Sequence, residues 1–499
     1  MSKSFRGSVV FAGLVVVVLG IAQVAFAGGL TTQSQDPAAS SSETGKTTKS
    51  QTKSKKNKKK KAANNSFIVL GTYAPQLPSA TSSITVMPAD PIVSPRRAIA
   101  AEKTPSIHVL PVDDPPASVA SAGQLVISEF RVRGPNGLND EFIEIANVSG
   151  ADHTVAALSG TGYGIAASDG VTRCSIPNGT VIPNKGHYLC VNSIGYSLAS
   201  YPAGNGTTAT GDATYTTDIT DNAGIALFNN NTGGASYTLA NRLDAVGSTS
   251  EANTLYKEGT GYPALVPFSI DYSFYRDNCG KGGSITTFGA CPGGGNVQDS
   301  NNNAADFVFV DTNGTSAGAG QRLGAPGPEN LSSPIERNAS FAVNLLDICV
   351  AAASPPNRVR DFTSDPPNNS TFGTLDIRRT VVNNTGGNVT RLRFRVVDLT
   401  TFPAPSGIAD LRPRTSTSVV VTVDRPPCGS GTSNVTVNGT TLEQPPSQPN
   451  GGGFNSSMSA GTVTLATPIA NGASIDVRFL LGIQQTGSFK FFFNVEALP

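Results

Sequence analysis

The chain has 499 residues, of which only 14% are charged, and it is rich in Gly (53) and Pro (34). This composition is typical of short strands joined by turns, and the length suits about two or three domains. The net charge of +1 hides an acidic body, because residues 105–499 carry 22 Lys+Arg against 31 Asp+Glu, whereas residues 1–104 carry 14 against 4. An acidic body repels nucleic acid, and the lack of Trp removes a favoured stacking surface for sugars.

Residues 1–27 have the features of a secretory signal peptide. Lys3 and Arg6 provide a positive start, residues 9–22 form an apolar run, and Ala25 and Ala27 make a small-x-small cleavage site. An uncleaved membrane anchor is the alternative, but the run is shorter than the roughly 20 apolar residues of a membrane span. The sequence therefore predicts a secreted or cell-surface protein with no transmembrane segment in the mature chain.

Residues 28–121 are rich in Ser, Thr, Ala, Pro and Lys and show little periodicity, which is typical of a disordered linker. The linker contains a lysine-rich run. This run is either a solvated, self-repelling spacer or an electrostatic anchor for anionic envelope polymers, lipid headgroups or extracellular DNA. The candidate polyanion-binding residues are Lys53, Lys55, Lys56, Lys58, Lys59, Lys60 and Lys61.

Short β-patterned runs begin at residue 125. Residues 125–132 and 141–146 flank a Gly/Pro/Asn turn at 134–137, which predicts a hairpin or adjacent strands. Further short runs, each bounded by Asn, Gly, Asp or Pro, predict a β-sandwich over residues 122–330. These runs cover residues 181–182, 187–191, 224–228, 243–246 and 307–310.

The opening segment LVISEFRVRGPNGLNDEFIEIAN has an "ISE", loop, "EFIEI-N" pattern. With this pattern, residues 125–330 resemble the lamin tail domain family, in the form found in exported bacterial proteins. IPNGTVIPNKGHYLCV, DNAGIALFN, RLDAVGS, SFYRD and DSNNNAADFVFV are similar to later segments of that form. The resemblance implies an immunoglobulin-like β-sandwich with an interaction role and no catalytic residues.

A Pro-rich connector at residues 325–334 marks the next boundary, and residues 340–499 are again β-patterned. Within them, GTLDIRRTVVNNTGGNVTRLRFRVVDL is generically similar to paired strands of extracellular immunoglobulin-like domains. The predicted fold class is therefore all-β, with two immunoglobulin-like β-sandwiches after a signal peptide and a disordered basic linker. The candidate strands of the second sandwich are residues 375–382, 392–398, 418–423, 435–437, 463–465, 475–481 and 489–495.

The six cysteines suit an oxidising compartment and allow 15 pairings. Cys174 and Cys190 flank a segment with two turn signals, which is expected to bring their strands side by side. Cys279 and Cys291 bracket a Gly-rich loop. The last two both belong to the C-terminal region, and any mixed pairing would join the two sandwiches across the connector. The sequence therefore predicts the disulfides Cys174–Cys190, Cys279–Cys291 and Cys349–Cys428.

The run DSNNNAAD offers several oxygen ligands within one short loop, and Ca²⁺ prefers oxygen ligands. It lacks the sixth-position Gly and the closing Glu of an EF-hand, and Asx-rich turns also arise from local hydrogen bonding. Calcium is the one candidate cofactor, with Asp299, Asn301, Asn303 and Asp306 as its candidate ligands.

Two other charged clusters are interpreted as structural. Paired carboxylates can serve glycoside hydrolysis, but the acids around the first hairpin are better explained as fold positions. The arginines of the strand at 391–395 share one face, and a solvated outer face is favoured over an anion-binding surface. The acids are Glu129, Asp140, Glu141 and Glu144; the arginines are Arg391, Arg393 and Arg395, with Asp376 and Asp398 as the expected balancing acids.

These features predict an exported, non-catalytic binding or structural protein that acts in adhesion, scaffolding or ligand presentation at the cell surface or in the extracellular matrix. Anionic envelope or matrix polymers, or another exported protein, are the expected partners. No G-x-S-x-G nucleophile elbow accompanies His153 or His187, and no C-x-x-C occurs. The alternatives are an accessory module of a secreted hydrolase or nuclease system and a DNA- or polyanion-binding protein acting through the lysine-rich run.

Overall fold

The computed structural model describes residues 120–204, 206–266, 269–276, 297–314, 322–336 and 340–498. The predicted signal peptide, lysine-rich run and Cys279–Cys291 disulfide lie outside these residues, as does the predicted linker up to residue 119. The predicted end of the linker at residue 121 is wrong, because Ala120 is buried in the first core and its N donates to the Tyr163 hydroxyl at 2.7 Å. The described part of the chain is nearly all β and forms two β-sandwiches, which confirms the predicted all-β class. None of the helices within it is long and apolar enough to cross a membrane.

The first sandwich packs a six-stranded sheet, in the order β10-β7-β2-β1-β13-β14, against a four-stranded sheet, in the order β12-β11-β4-β5. Strand β1 pairs with β2 in antiparallel fashion, so the predicted hairpin is confirmed. Two short ribbons, β3-β6 and β8-β9, accompany these sheets. The strands are β1 (Leu125–Arg131), β2 (Phe142–Asn147), β3 (His153–Thr154), β4 (Gly162–Ala167), β5 (Thr172–Pro177), β6 (Val181–Ile182), β7 (His187–Asn192), β8 (Pro202–Gly204), β9 (Thr207–Thr208), β10 (Ala213–Tyr215), β11 (Ile225–Phe228), β12 (Arg242–Val246), β13 (Tyr272–Arg276) and β14 (Phe307–Asp311).

The second sandwich packs a five-stranded sheet, β15-β26-β19-β24-β23, against a seven-stranded sheet whose main order is β16-β18-β25-β22-β21. In the latter, β17 pairs with β18 and β20 pairs with β25. The strands are β15 (Ile335–Glu336), β16 (Phe341–Leu345), β17 (Arg358–Asp361), β18 (Thr374–Asn383), β19 (Arg391–Leu399), β20 (Asp410–Arg414), β21 (Val419–Val423), β22 (Ser433–Gly439), β23 (Thr441–Leu442), β24 (Ser457–Ser459), β25 (Ser474–Gln485) and β26 (Phe491–Leu498).

Helical structure in the described residues is confined to single turns. One α-helical turn, α1 (Asn303–Asp306), immediately precedes β14. Short 3-10 helices lie in the loops, at Gly234–Ser236, Leu239–Asn241, Thr254–Tyr256 and Pro366–Asn368. The β-sheets therefore supply nearly all of the framework that positions side chains.

Each sandwich has its own apolar core. Leu125, Ile127 and Phe130 of β1 point into the first core, and a bulge between Ile127 and Glu129 keeps Phe130 on the core side. In the second core, Phe394 of β19 packs edge-on against Phe479 of β25, with ring centroids 4.9 Å apart. Burying such large apolar side chains stabilises each sandwich by roughly 1.5–3 kcal/mol per side chain.

Strands β1, β2, β19 and β26 are buried on both faces. A strand that is buried on both faces needs a covering layer on each side. Part of the outer face of the first sandwich is covered by its own 198–209 segment, where Leu198 and Tyr201 pack with Phe142, and another part contacts the second sandwich. Phe454 packs against Tyr275, Val308 and Val310, and the Tyr201 hydroxyl donates to Ser457 Oγ at 3.1 Å. The outer faces of the two sheets therefore meet at a junction.

The Pro-rich connector lies within this junction. Residues 323–330 are all buried, and the connector makes backbone hydrogen bonds to both sandwiches: Gly324 N donates to Asp311 O at 3.0 Å, and Ala325 N donates to Phe454 O at 3.0 Å. The sequence indicated only a boundary at this point. The structure shows that the boundary segment is a packed part of the molecule.

The predicted disulfides Cys174–Cys190 and Cys349–Cys428 are present. Cys174 lies on β5 and Cys190 on β7, which belong to different sheets of the first sandwich. The bond therefore joins the two sheets rather than two neighbouring strands, so the pairing is confirmed although the strands do not lie side by side. The second bond joins the loops that follow β16 and β21, the strands at the two ends of the seven-stranded order.

Candidate functional site

Charged side chains from both sandwiches and the connector meet at the junction. Glu129 of β1 and Glu144 of β2 lie directly opposite each other, and His187 extends from the next strand, β7. The second sandwich contributes two arginines from β19 and one carboxylate from β26. We call this group the junction cluster; its members are Glu129, Glu144, His187, Glu329, Arg393, Arg395 and Glu496.

The two arginines of the junction cluster are buried, with 4% and 5% of Arg393 and Arg395 exposed. The Glu496 carboxylate accepts a hydrogen bond from each of them: Arg395 Nε donates to Oε1 at 2.6 Å, and Arg393 Nε donates to Oε2. Glu329 Oε1 also contacts both guanidinium groups, with Arg395 Nη2 at 3.1 Å. Two acids and two guanidinium groups thus form a closed ring of ion pairs.

The prediction of a solvated arginine face on β19 is therefore wrong for Arg393 and Arg395. The first sandwich and the connector cover the face that the sequence assigned to solvent. The expected balancing acids are also used elsewhere: Asp376 pairs with Arg378 and Arg478, and Asp398 pairs with Lys490. The acids that do balance the arginines are distant in sequence, which the two-residue period of one strand does not reveal.

Glu129 and Glu144 hold the connector in place. Glu129 Oε1 accepts a hydrogen bond from Gly327 N at 3.0 Å and another from the side chain of Asn455 at 3.1 Å. Glu144 Oε2 accepts from Glu329 N at 2.7 Å. Carboxylates that bind backbone amides of a covering segment are positioned to fix that segment, which agrees with the expected structural role of these acids.

His187 lies between the two acids Glu144 and Glu329. Its Nε2 is 3.8 Å from Glu144 Oε1, and its Nδ1 is 3.4 Å from Glu329 Oε2. The Nδ1 atom is buried and makes no hydrogen bond of good geometry. A cavity of about 350 Å³ adjoins these residues and is also lined by Ser128, Lys185 and Arg276. The cavity gives a small ligand or ordered water access to the cluster.

Burial and charge act differently on the carboxyls of the junction cluster. Burial, followed by the charges of Glu129 and Glu329, raises the pKa of Glu144 well above its ordinary value. Burial would also raise the pKa of Glu496, but the guanidinium groups of Arg393 and Arg395 outweigh it and lower the pKa to about 2. Glu144 is therefore easier to protonate than an exposed glutamate, whereas Glu496 is ionised at neutral pH.

The other two acids of the first hairpin are separated from this cluster. Asp140 pairs with the buried Arg131. Glu141 accepts hydrogen bonds from Ile219 N at 2.6 Å and from the Asn192 side chain at 3.0 Å. Burial raises the pKa of Glu141 to about 7, although these hydrogen bonds oppose the shift. The structure thus brings together only two of the four acids that the sequence grouped.

The predicted calcium loop surrounds an arginine. Asp299 and Asp306 both contact Arg276 Nη1, at 3.3 and 3.1 Å. The Asn303 side chain accepts from Gly247 N at 2.9 Å and so links the loop to the first sandwich. Asn301 adopts a positive φ of 56°, as Asn tolerates in turns. Calcium binding here remains a prediction, and it would have to compete with the guanidinium group of Arg276 for both carboxylates.

Sequence reasoning missed two members of the junction cluster, Glu329 and Glu496, and also Asn455, which contacts Glu129 and Arg395. Glu329 is the lone charged residue in the connector APGPENLSSP, and Glu496 interrupts the apolar strand FFFNVEAL. A charge placed alone within an apolar run is the available signal, because buried charges are rarely left unpaired. Asn455 gave no signal of this kind.

Comparison with protein-family models, with curated proteins and with solved structures finds no match for this chain. The resemblance to the lamin tail domain family therefore remains a prediction.

Proposed function

We propose that this chain is an exported, non-catalytic protein that works at the cell surface or in the surrounding matrix, in adhesion, scaffolding or ligand presentation. The observation that carries the proposal is the junction, where buried ion pairs and a packed connector join two sandwiches. A joined pair of sandwiches presents its outer loops at a fixed spacing, which is what a scaffold or adhesin requires. Two disulfides in the described residues and the signal-peptide pattern support export.

A binding assay with the exported full chain tests this proposal. The purified chain is immobilised, and isolated envelopes and matrix polymers from the producing cells are passed over it. We expect saturable binding that weakens in an Arg393→Met/Arg395→Met variant, because that variant loosens the junction. Arg425→Met is the matched control, since its ion pair with Asp476 is partly exposed. Hydrolysis of polysaccharide, nucleic acid or peptide substrates by the chain would contradict the proposal.

The lysine-rich run favours polyanion binding as a second candidate function. Seven lysines fall within residues 53–61, and neutralised phosphates release counterions, which makes such binding strongly salt-dependent. We expect a gel shift of DNA or of an anionic polymer that is lost above about 200 mM salt. Replacing the seven lysines with Gln should abolish the shift, whereas an unchanged shift would assign the binding to another part of the chain.

A further inference from the structure

We propose that Glu144, His187 and Glu329 bind one zinc ion at the sandwich junction. The three residues come from β2, β7 and the connector, and their ligand atoms all lie within 4.8 Å of one another. Zinc binds both His nitrogen and Glu oxygen, and zinc sites with three protein ligands hold a water molecule in the fourth position. The proposal does not depend on the proposed adhesive function.

The spacing of the nearest two ligand atoms fits a tetrahedral zinc ion. Zinc lies about 2.0–2.2 Å from nitrogen and oxygen ligands, so two such ligands at the tetrahedral angle are about 3.3–3.5 Å apart. His187 Nδ1 and Glu329 Oε2 are 3.4 Å apart. Glu144 lies nearer the other ring nitrogen, with its Oε1 3.8 Å from His187 Nε2, so its carboxylate has to move towards the ion when zinc binds. The arginines contact the other carboxylate oxygen of Glu329, Oε1, which leaves Oε2 facing the histidine.

His187 supplies the independent observation that points to a ligand. Its Nδ1 is a buried polar atom with no hydrogen bond, and its side chain is only 13% exposed. Buried polar atoms are generally satisfied by protein, water or an ion.

The charge of the junction cluster also fits a divalent cation. Four carboxyl groups, those of Glu129, Glu144, Glu329 and Glu496, face two guanidinium groups, so full ionisation leaves two negative charges. Lys185 also lines the cavity and offsets one of these charges, so an acidic surplus that attracts a cation is left. Arg276 lines the cavity too, but it is already surrounded by Asp244, Asp299 and Asp306.

The ligand set selects zinc over calcium or magnesium. Calcium and magnesium prefer sites made of oxygen ligands only, whereas imidazole suits zinc and similar transition metals. The adjoining cavity of about 350 Å³ has room for the water molecule that completes the coordination. A second group of acids, Asp244, Glu258 and Asp299, also has close ligand atoms, but the Arg276 guanidinium contacts all three and serves as their cation.

Zinc titration of the chelator-treated full chain tests the proposal. We expect one zinc ion per chain by calorimetry, a rise in melting temperature and visible absorption when Co²⁺ replaces zinc. His187→Gln and Glu144→Gln should each weaken zinc binding at least tenfold. Glu144→Gln is the safer of the two for folding, because the amide oxygen can still accept the hydrogen bond from Glu329 N.

Two control variants separate this site from other zinc-binding groups. His153→Gln removes a histidine that contacts Tyr163 rather than the cavity, and Glu258→Gln removes an acid of the second group. Both controls should bind zinc as tightly as the unaltered chain. The proposal is overturned if the chain takes up no zinc at 100-fold molar excess, or if Glu144→Gln and His187→Gln bind it with unchanged affinity.

Discussion

Each arginine of the junction cluster neutralises a carboxylate that is itself cut off from water. Removing one partner of a buried ion pair leaves an uncompensated charge and costs about 3–5 kcal/mol. We therefore expect Arg395→Ala to lower the free energy of unfolding by that amount, because both Glu329 and Glu496 lose a contact. Urea denaturation of the oxidised chain at pH 7 measures the change.

Arg425→Ala is the matched control for this prediction. Its side chain is 36% exposed while it contacts Asp476, and exposed ion pairs contribute about 0–1 kcal/mol. Similar losses for Arg395→Ala and Arg425→Ala would show that the junction is hydrated and open rather than packed.

Glu258 makes the stability depend on pH. Burial, together with the negative charges of Asp244 and Asp299, raises its pKa from 4.5 to about 9. Between these two values the folded chain holds a proton that the unfolded chain has lost, so the contribution of this group to stability falls as pH rises from 4.5 to 9. We expect Glu258→Gln to reduce that slope by up to about 1.4 kcal/mol per pH unit. An unchanged slope between pH 7 and 9 would show that Glu258 is ionised in the fold.

At the scale of the strand, apolar alternation was sufficient to predict most elements. Residues 187–191 and 375–382 were predicted as strands and lie within β7 and β18. Strand β4 (GYGIAA) was missed because glycines do not favour strands, yet Gly162 and Gly164 lie so close to Ile176 O and to the Tyr237 hydroxyl that no side chain fits there. Residues 463–465 were predicted as a strand but form a turn, in which Thr467 N donates to Thr464 O.

The candidate site was much less predictable than the strands. Period-two patterning shows which residues share a face, but it does not show whether a second sandwich covers that face. Arg393 and Arg395 were correctly placed on one face, and their burial follows only from the packing of the connector and of the segment around Pro202 against β19. Glu329 and His187 come together through contacts between segments 142 residues apart, which no local pattern specifies.

The two disulfides close loops of very different length. The cysteines are 16 residues apart in Cys174–Cys190 and 79 apart in Cys349–Cys428, and the chain-entropy estimate is about 3 and about 4.5 kcal/mol. We expect Cys349→Ala/Cys428→Ala to destabilise the second sandwich more than Cys174→Ala/Cys190→Ala destabilises the first. Calorimetry of both double variants provides the comparison, and a reversed order would indicate that strain or residual structure outweighs loop length. Peptide mapping without reductant also tests the predicted Cys279–Cys291 bond.

At the scale of the whole molecule, the junction should couple the unfolding of the two sandwiches. Because each covers charged groups of the other, unfolding one exposes buried charges on its neighbour. We expect a single calorimetric transition whose van't Hoff and calorimetric enthalpies agree. The Arg393→Met/Arg395→Met variant keeps apolar bulk but removes the ion pairs, so it should separate the trace into two transitions. Two transitions in the unaltered chain would mean that the sandwiches are independent.

The buried connector has a practical consequence for producing the two sandwiches as separate fragments. A cut between residues 331 and 341 looks like a domain boundary in the sequence, but it would keep the connector on the first fragment and so separate Glu329 from Arg393 and Arg395 on the second. Each fragment alone would expose an unmatched charged face and should aggregate or remain poorly folded. Produced together, the two fragments carry complementary faces, so the same cut offers a natural split point for a fragment-complementation reporter.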